Sequence, residues 1–123
     1  MQVIASIAVA LVALVHAGIS VVEMFLWKRP QVHGRLGFQQ DVAAKVAPIV
    51  ANAGLYNAFL MSGLVWSLLA TNHAQSLQVF FLSCVAIAGI YGAATLKRTT
   101  LVLQTLPAVL AGILVWIANR PAP

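Results

Sequence analysis

Four apolar runs dominate the chain, and each is long enough to cross a membrane as a helix. They lie at about residues 3–27, 44–69, 79–96 and 100–119. A helix rises ~1.5 Å per residue, so about 20 apolar residues cross a hydrocarbon core of ~30 Å. With 62% hydrophobic and 7% charged residues, a soluble domain of 123 residues could not bury this much apolar surface. We therefore predict an all-α, multi-pass membrane protein with one domain, residues 1–123, folded as a four-helix transmembrane bundle.

The distribution of basic residues predicts the orientation of this bundle. Six of the seven Lys and Arg residues lie in or beside the first and third loops, and only Arg120 lies on the other side. Loops enriched in Lys and Arg face the cytoplasm. We therefore expect both loops in the cytoplasm, both termini on the non-cytoplasmic side, and a location in the cell inner membrane. The net charge of +5 then indicates contact with lipid headgroups, and no nucleic-acid partner is expected.

Glu23 is the only acidic residue inside an apolar run. A carboxyl group in hydrocarbon is costly, so an ionisable residue within a span marks a candidate functional site. His16, Ser20 and Trp27 recur with it at i, i+4, i+7 and i+11, and this spacing places all four on one stripe of a helix. We predict Glu23 and His16 as catalytic residues. They lie ~10 Å apart along the helix axis, so any link between them needs an intermediary such as Ser20 or water.

Each of the other three runs offers polar side chains at a similar depth. Counted from the basic ends of the helices, Glu23 lies ~6 Å deep, and Asn52 and Gln104 lie ~10 Å deep. Where the faces that carry them converge, these side chains would form a polar pocket in the cytoplasmic half of the membrane. The predicted ligand-binding residues of this pocket are Trp27, Asn52, Tyr56, Asn57, Tyr91, Thr95 and Gln104.

A structural interpretation of the same polar residues stays open. Polar side chains can bond one another across helices, each contributing ~0.6 kcal/mol. Glu23 could also reach the membrane surface and pair with Lys28, Arg29 or Lys97. We predict no metal site, because His16 and Glu23 are not four residues apart and no third strong ligand is evident. No cofactor is expected either.

The longest loop, residues 28–43, contains two glycines, Gly34 and Gly37, which predict a turn. Between the basic residues at its start and this turn lies His33. A histidine in a polar loop is most simply explained as a solvated side chain. We therefore predict that His33 is exposed and has no functional role.

Short motifs in all four runs resemble those of a known family. EMFLW ends the first run, N-x-G-L-Y-N-x-F-L lies in the second, G-x-Y-G-A-A-T in the third and Q-x-x-P-A in the fourth, and the loop holds G-x-x-x-F. This combination resembles a bacterial family of small four-span membrane proteins, domain of unknown function 1304, over essentially the whole chain. The resemblance implies a four-helix integral membrane protein and brings no established reaction. Its pattern points to Glu23, Trp27, Asn52, Gly54, Tyr56, Asn57, Gly92, Thr95, Gln104 and Pro107.

Three functions are compatible with this sequence. In the first, which we favour, the pocket binds or acts on a small lipophilic or amphipathic molecule, with Glu23 as the anchoring or acid/base group. In the second, the protein is a small proton-coupled transporter, although Glu23 lies near one end of its span rather than at mid-membrane. In the third, it is a structural or accessory subunit, since small residues at Gly89 and Gly92 favour close helix packing and homo-oligomerisation. The expected partners are membrane lipids, a lipophilic ligand and a second copy of the chain.

Overall fold

The computed structural model describes residues 1–120, and nearly all of them are helical. No strand occurs in this part of the chain, so the all-α prediction is confirmed. In chain order the α-helices are α1 (Gln2–Val21), α2 (Pro30–His33), α3 (Gln40–Leu69), α4 (Ala74–Thr95) and α5 (Leu106–Ala118).

Two of the long helical segments contain a π-helical turn. The first turn, Val22–Leu26, continues α1, and the second, Leu101–Thr105, leads into α5. In the second turn, the backbone N–H of Leu106 bonds the carbonyl of Leu101, five residues earlier. Pro107 follows directly and has no N–H to bond the carbonyl four residues before it. Single π-helical turns within helices occur frequently at functional sites.

Four helical segments are long and apolar enough to cross a membrane. They comprise 25, 30, 22 and 18 residues, at Gln2–Leu26, Gln40–Leu69, Ala74–Thr95 and Leu101–Ala118. The second and third begin four or five residues before the predicted spans, at Gln40 and Ala74 rather than at 44 and 79. Their first turns are polar, and a helix can continue into water beyond the hydrocarbon core. The limits of the membrane-embedded part and the single-domain organisation therefore stay predictions.

The chain divides into two compact units, of which the first comprises residues 1–15 and the described residues from Leu60 onward. Its core is built from alanine, valine and leucine side chains. Ala5, Val9 and Val12 follow one another at i, i+4 and i+7, so they share one face of α1. The other buried residues of this core are Ala13, Leu64, Leu82, Val85, Ala108, Ala111 and Val115.

The second unit is His16–Phe59. It holds the end of α1, the first π-helical turn, the short helix α2 and the first part of α3. A single 3₁₀ turn, Gly34–Leu36, follows α2 and ends at Gly37, whose φ of 82° is in the left-handed region. Glycine adopts this conformation without steric cost, so the turn predicted from Gly34 and Gly37 is confirmed.

Candidate functional site

The Glu23 carboxylate lies in the first π-helical turn and is half-buried. The Asn57 side chain in α3 donates a hydrogen bond of 2.9 Å from Nδ2 to Glu23 Oε2. Nδ2 also donates to the carbonyl of Ala53, one helical turn earlier, at 3.2 Å. This second bond holds the amide against its own helix, so Asn57 presents its donor to Glu23 in a fixed position.

Gly54 brings the two backbones close together at this point. A Cβ atom on Gly54 would lie 2.6 Å from Met24 Cγ and 2.9 Å from Glu23 Cβ, which is closer than non-bonded carbon atoms approach. Gly54 and Asn57 are three residues apart and therefore lie on one side of α3. The absent side chain at Gly54 thus allows the approach that the Asn57 amide needs to reach the carboxylate.

The bond to Glu23 comes from an uncharged amide. The structural interpretation of Glu23 invoked an ion pair with Lys28, Arg29 or Lys97. The bond from Asn57 is instead a hydrogen bond from a neutral group. An ionised carboxylate accepts about four hydrogen bonds, so the bond from Asn57 uses only part of its capacity. A carboxylate with spare capacity can also accept from a hydroxyl, an amine or water.

His16 and Ser20 are both buried. Glu23 follows them within the π-helical turn, so the common stripe stays a prediction. The Ser20 hydroxyl donates to the sulfur of Met24 at 3.5 Å, one helical turn further along. The suggested role of Ser20 as a link between His16 and Glu23 stays a prediction. The predicted catalytic role of His16 stays a prediction.

Trp27 is buried beside the loop rather than exposed as the wall of a pocket. Its indole Nε1 donates to the carbonyl of Ala43 at 2.9 Å, and only 4% of the residue is exposed. Its ring packs edge-on against Phe38, with centroids 5.4 Å apart. These contacts fix the start of α3 against the end of the first apolar segment. They assign Trp27 a structural role, and its predicted contact with a ligand stays a prediction.

The prediction of an exposed His33 is wrong. The residue is 4% exposed, and its Nδ1 donates to the carbonyl of Phe38 at 3.0 Å. Its Nε2 lies 2.8 Å from the side-chain amide of Gln40. The polar composition of the loop suggested a solvated histidine, but the turn at Gly37 folds the chain back over the ring. We call Trp27, His33, Phe38 and Ala43 the Trp27 cluster.

Asn52 and Tyr56 are not brought to Glu23. Both are exposed, and the Tyr56 ring packs edge-on against Phe59 at 6.0 Å between centroids. Each residue advances ~100° around a helix, so Asn52 and Tyr56 point away from the side of α3 that carries Asn57. Of the three polar residues predicted from this stretch, the structure places Asn57 at the carboxylate and leaves the other two on the surface of α3.

Tyr91, Thr95 and Gln104 belong to the other compact unit. Tyr91 is 71% exposed, and the Thr95 hydroxyl donates to the Tyr91 carbonyl at 2.8 Å. Gln104 is half-buried within the second π-helical turn. Their predicted participation in a ligand site stays a prediction. Within the described part of the chain, no three His, Cys, Asp or Glu side chains are grouped so that they could hold a metal ion.

The comparison with known families decides the identity. The model of a family described as "Protein of unknown function (DUF1304)" matches residues 10–116. The chain belongs to the DUF1304 family. No curated protein and no solved structure matches the chain. The identification from sequence motifs is thus confirmed, and the matched region of this DUF1304 protein contains Glu23, Gly54 and Asn57.

Sequence reasoning missed four features of this DUF1304 chain. Neither the π-helical turn at Glu23 nor the partnership of Ser20 with Met24 has a clear sequence signal. The close approach at Gly54 had a general signal, because small residues such as glycine in an apolar run favour close helix packing. For the Trp27 cluster, the available signal was the presence of two aromatic residues, Trp27 and Phe38, at the two ends of the loop segment that contains the glycine turn.

Proposed function

We propose that this DUF1304 protein binds a small amphipathic molecule inside the membrane, with Glu23 as the group that anchors or acts on its polar end. The observation that carries this proposal is a half-buried carboxylate within a membrane-spanning segment that accepts a hydrogen bond from a neutral amide. Ionisable residues within spans rarely serve packing alone, because the cost of placing them in hydrocarbon must be balanced by a function or a partner.

The chemistry of the pair indicates the polar group of the ligand. Asn57 orients the carboxylate without neutralising it, so an amine or a hydroxyl group on a ligand would find an acceptor with spare capacity. A positioned carboxylate is also the minimum that general acid/base catalysis needs. Phe25, two residues further along the same turn, is 71% exposed, so this end of the first span also offers an apolar surface to a lipophilic molecule.

A structural subunit is the second candidate, and a specific observation favours it. The Asn57 bond and the close approach at Gly54 tie the first span to the second, and interhelical polar bonds of this kind fix helix register. In that case Glu23 stabilises the helix pair or a homo-oligomer and has no ligand. A proton-coupled transporter would use the same carboxyl group as its proton carrier.

The membrane and the orientation form part of the proposal. Six of seven Lys and Arg residues lie in or beside the first and third loops, which supports an inner-membrane protein with both termini outside the cytoplasm. The end of the first span that carries Glu23 would then face the cytoplasm. Tagging each terminus and testing its accessibility to protease in sealed vesicles of known orientation checks this topology.

Labelling with carbodiimides tests whether small lipophilic molecules reach Glu23. Dicyclohexylcarbodiimide partitions into lipid and reacts with carboxylic acids, and peptide mass spectrometry locates the adduct. Glu23 and Asp41 are the only acidic side chains, so the assignment is direct. We expect the lipophilic reagent to modify Glu23 in lipid nanodiscs, and a water-soluble carbodiimide to modify Asp41 preferentially.

The variant Glu23→Gln separates the two candidate functions. A glutamine oxygen can still accept the bond from Asn57, so a binding site predicts unchanged folding and oligomeric state together with loss of the Glu23 adduct. An unmodified Glu23 in folded protein whose Asp41 does react would contradict the binding proposal. Loss of assembly in Glu23→Gln would favour the structural subunit instead.

A further inference from the structure

A groove of about 550 Å³ lies where the first membrane-spanning segment gives way to the loop. It belongs entirely to the second compact unit and lies outside the Glu23–Asn57 contact. The residues that line it are Val22, Leu26, Arg29, Gln31, Val32, Arg35 and Leu36.

The lining of this groove is divided by chemistry. Its apolar part includes Val22 and Leu26, which belong to the last turn of the first span. Its polar part is formed by Arg29, Gln31 and Arg35, which belong to the loop. Neither acidic residue of the chain is part of the lining, so the groove carries two positive charges and no negative charge.

Arginine is the side chain best suited to hold a phosphate. Its planar guanidinium group offers five N–H donors, two of which can bond one phosphate group at the same time. Two arginines six residues apart, on either side of a short helix, can approach one phosphate from two directions. A Gln31 amide between them adds a neutral donor.

The Trp27 cluster holds the arginine-bearing segment in place. His33 and Trp27 are bonded to the carbonyls of Phe38 and Ala43, and both are buried on the inner side of the segment. Arg29 and Arg35 lie before and after His33, and both are exposed. The loop therefore does not need to be ordered by the ligand, which reduces the conformational entropy lost on binding.

From this geometry we propose that the groove is a binding site for an anionic phospholipid. Its phosphate bonds Arg29 and Arg35, and the upper part of one acyl chain lies along Val22, Leu26 and Leu36. A lipid fits better than a soluble phosphate ester because half of the lining is apolar and comes from a membrane-spanning segment. Basic pockets at the ends of spans are suited to anionic headgroups on electrostatic grounds. This site is independent of any ligand at Glu23.

Native mass spectrometry of delipidated protein in detergent tests the proposal. The titrants are phosphatidylglycerol, a diacylglycerol with the same acyl chains, and glycerol 3-phosphate as a competitor. We expect phosphatidylglycerol to bind at least about tenfold more tightly than the diacylglycerol, because only the former offers a phosphate to the arginines. Equal binding of the two would overturn the role of the phosphate. Competition by glycerol 3-phosphate at lipid-like concentrations would overturn the choice of a lipid.

A matched pair of double variants locates the site. Arg29→Gln with Arg35→Gln removes two charges from the groove. Lys28→Gln with Lys45→Gln removes two charges outside the groove, one in the loop and one in α3. The groove variant should bind phosphatidylglycerol about tenfold more weakly or worse, and the control should change less than about twofold. Equal losses of affinity in both variants would mean that the lipid is attracted by the overall positive charge and not by the groove. An unchanged affinity of the groove variant would mean that the groove does not bind the lipid. Either result would overturn the proposal.

Two further variants keep the result interpretable. Arg29→Lys with Arg35→Lys preserves charge and folding but removes the two-pronged geometry, and we expect about three- to tenfold weaker binding. Leu36→Gln leaves both arginines in place and should weaken phosphatidylglycerol binding about threefold, because the acyl chain loses an apolar contact. Unchanged affinity in both would overturn the proposal. Glu23→Gln should leave this affinity unchanged.

Discussion

The two π-helical turns of this protein pack against a neighbouring helix in the same way, but their polar side chains have different partners. Each turn lies opposite a buried glycine of the neighbouring helix in its own compact unit. In the second unit, Glu23 and Met24 face Gly54, and in the first unit, Gln104 and Thr105 face Gly89. At both places the glycine has no side chain, so the π-helical turn can pack directly against the neighbouring helix.

The polar groups at the two turns have different partners. The Thr105 hydroxyl donates to the carbonyl of Ala86 at 3.2 Å, and the Thr100 hydroxyl donates to the carbonyl of Gly89 at 3.0 Å. At the other turn, a carboxylate receives a side-chain amide. The hydroxyl groups at the second turn therefore have their donors satisfied by backbone. The carboxylate at the first turn has acceptor capacity left over, which a helix joint does not require.

A glycine contact alone therefore does not indicate a ligand-binding site. A glycine facing a π-helical turn explains close packing at both places. The feature that distinguishes the Glu23 turn is an ionisable group with a neutral partner inside a membrane-spanning segment. Three substitution experiments separate packing from function, in decreasing order of expected effect.

Gly89→Ala should cause the largest loss of stability. The new Cβ would meet the Thr105 hydroxyl and lie 2.9 Å from the backbone nitrogen of Thr105, which cannot rotate away. We expect the free energy of unfolding to fall by about 2–3 kcal/mol, as for an overpacked core. Unfolding in sodium dodecyl sulfate followed by far-ultraviolet circular dichroism measures this.

Gly112→Ala is the matched control, because no atom lies within 4 Å of a Cβ added there. It should be neutral or raise stability by up to about 1 kcal/mol, since alanine favours a helix more than glycine does. If both variants behave alike, the packing role assigned to Gly89 is wrong.

Gly54→Ala should cost less, about 1–2 kcal/mol, because the nearest backbone atom to its Cβ, Met24 N, lies 3.1 Å away, against 2.9 Å for Thr105 N at Gly89. Gly18→Ala, with open space around its Cβ, is the control in the same unit. The variant should also reduce the rate at which dicyclohexylcarbodiimide modifies Glu23, since the added methyl group crowds its Cβ. If Gly54→Ala lost more stability than Gly89→Ala, the expected order of the two glycine contacts would be wrong.

Asn57→Ala should lower the free energy of unfolding by about 1–2 kcal/mol, because a half-buried carboxylate loses its donor. Thr105→Val, which removes one hydroxyl bond to a backbone carbonyl, should cost only about 0.5 kcal/mol. Asn52→Ala is the control for helix α3 and should have almost no effect, since Asn52 is exposed. Equal effects of Asn57→Ala and Asn52→Ala would show that the bond from Asn57 to Glu23 contributes nothing to stability.

Much of the fold could be predicted from the sequence because the membrane limits the choices. Apolar runs of about 20 residues between polar segments allow little besides spanning helices, since every backbone group must be bonded within the segment. The stripe of His16, Ser20, Glu23 and Trp27 followed from helical periodicity in the same way. The family resemblance pointed to both Gly54 and Asn57, which the structure brings to the first span.

The rest of the site could not be predicted because it depends on local departures from the regular helix. The π-helical turn at Val22–Leu26 changes which direction Glu23 and Met24 face, and no simple pattern announces it. The choice of Asn57 over Asn52 and Tyr56 depends on the rotation of α3 about its axis, which periodicity alone leaves open. The burial of His33 depends on a tertiary turn that composition does not reveal.

A high-resolution crystal structure of the protein grown in a lipidic mesophase tests the central claim most directly. The region to inspect is the space around the Glu23 carboxylate beside the Asn57 amide. We predict ordered non-protein density, from a ligand, a lipid group or water, within hydrogen-bond distance of a Glu23 oxygen. A dry and tightly packed carboxylate whose partners are Asn57 and basic side chains would contradict the claim and make Glu23 a structural residue.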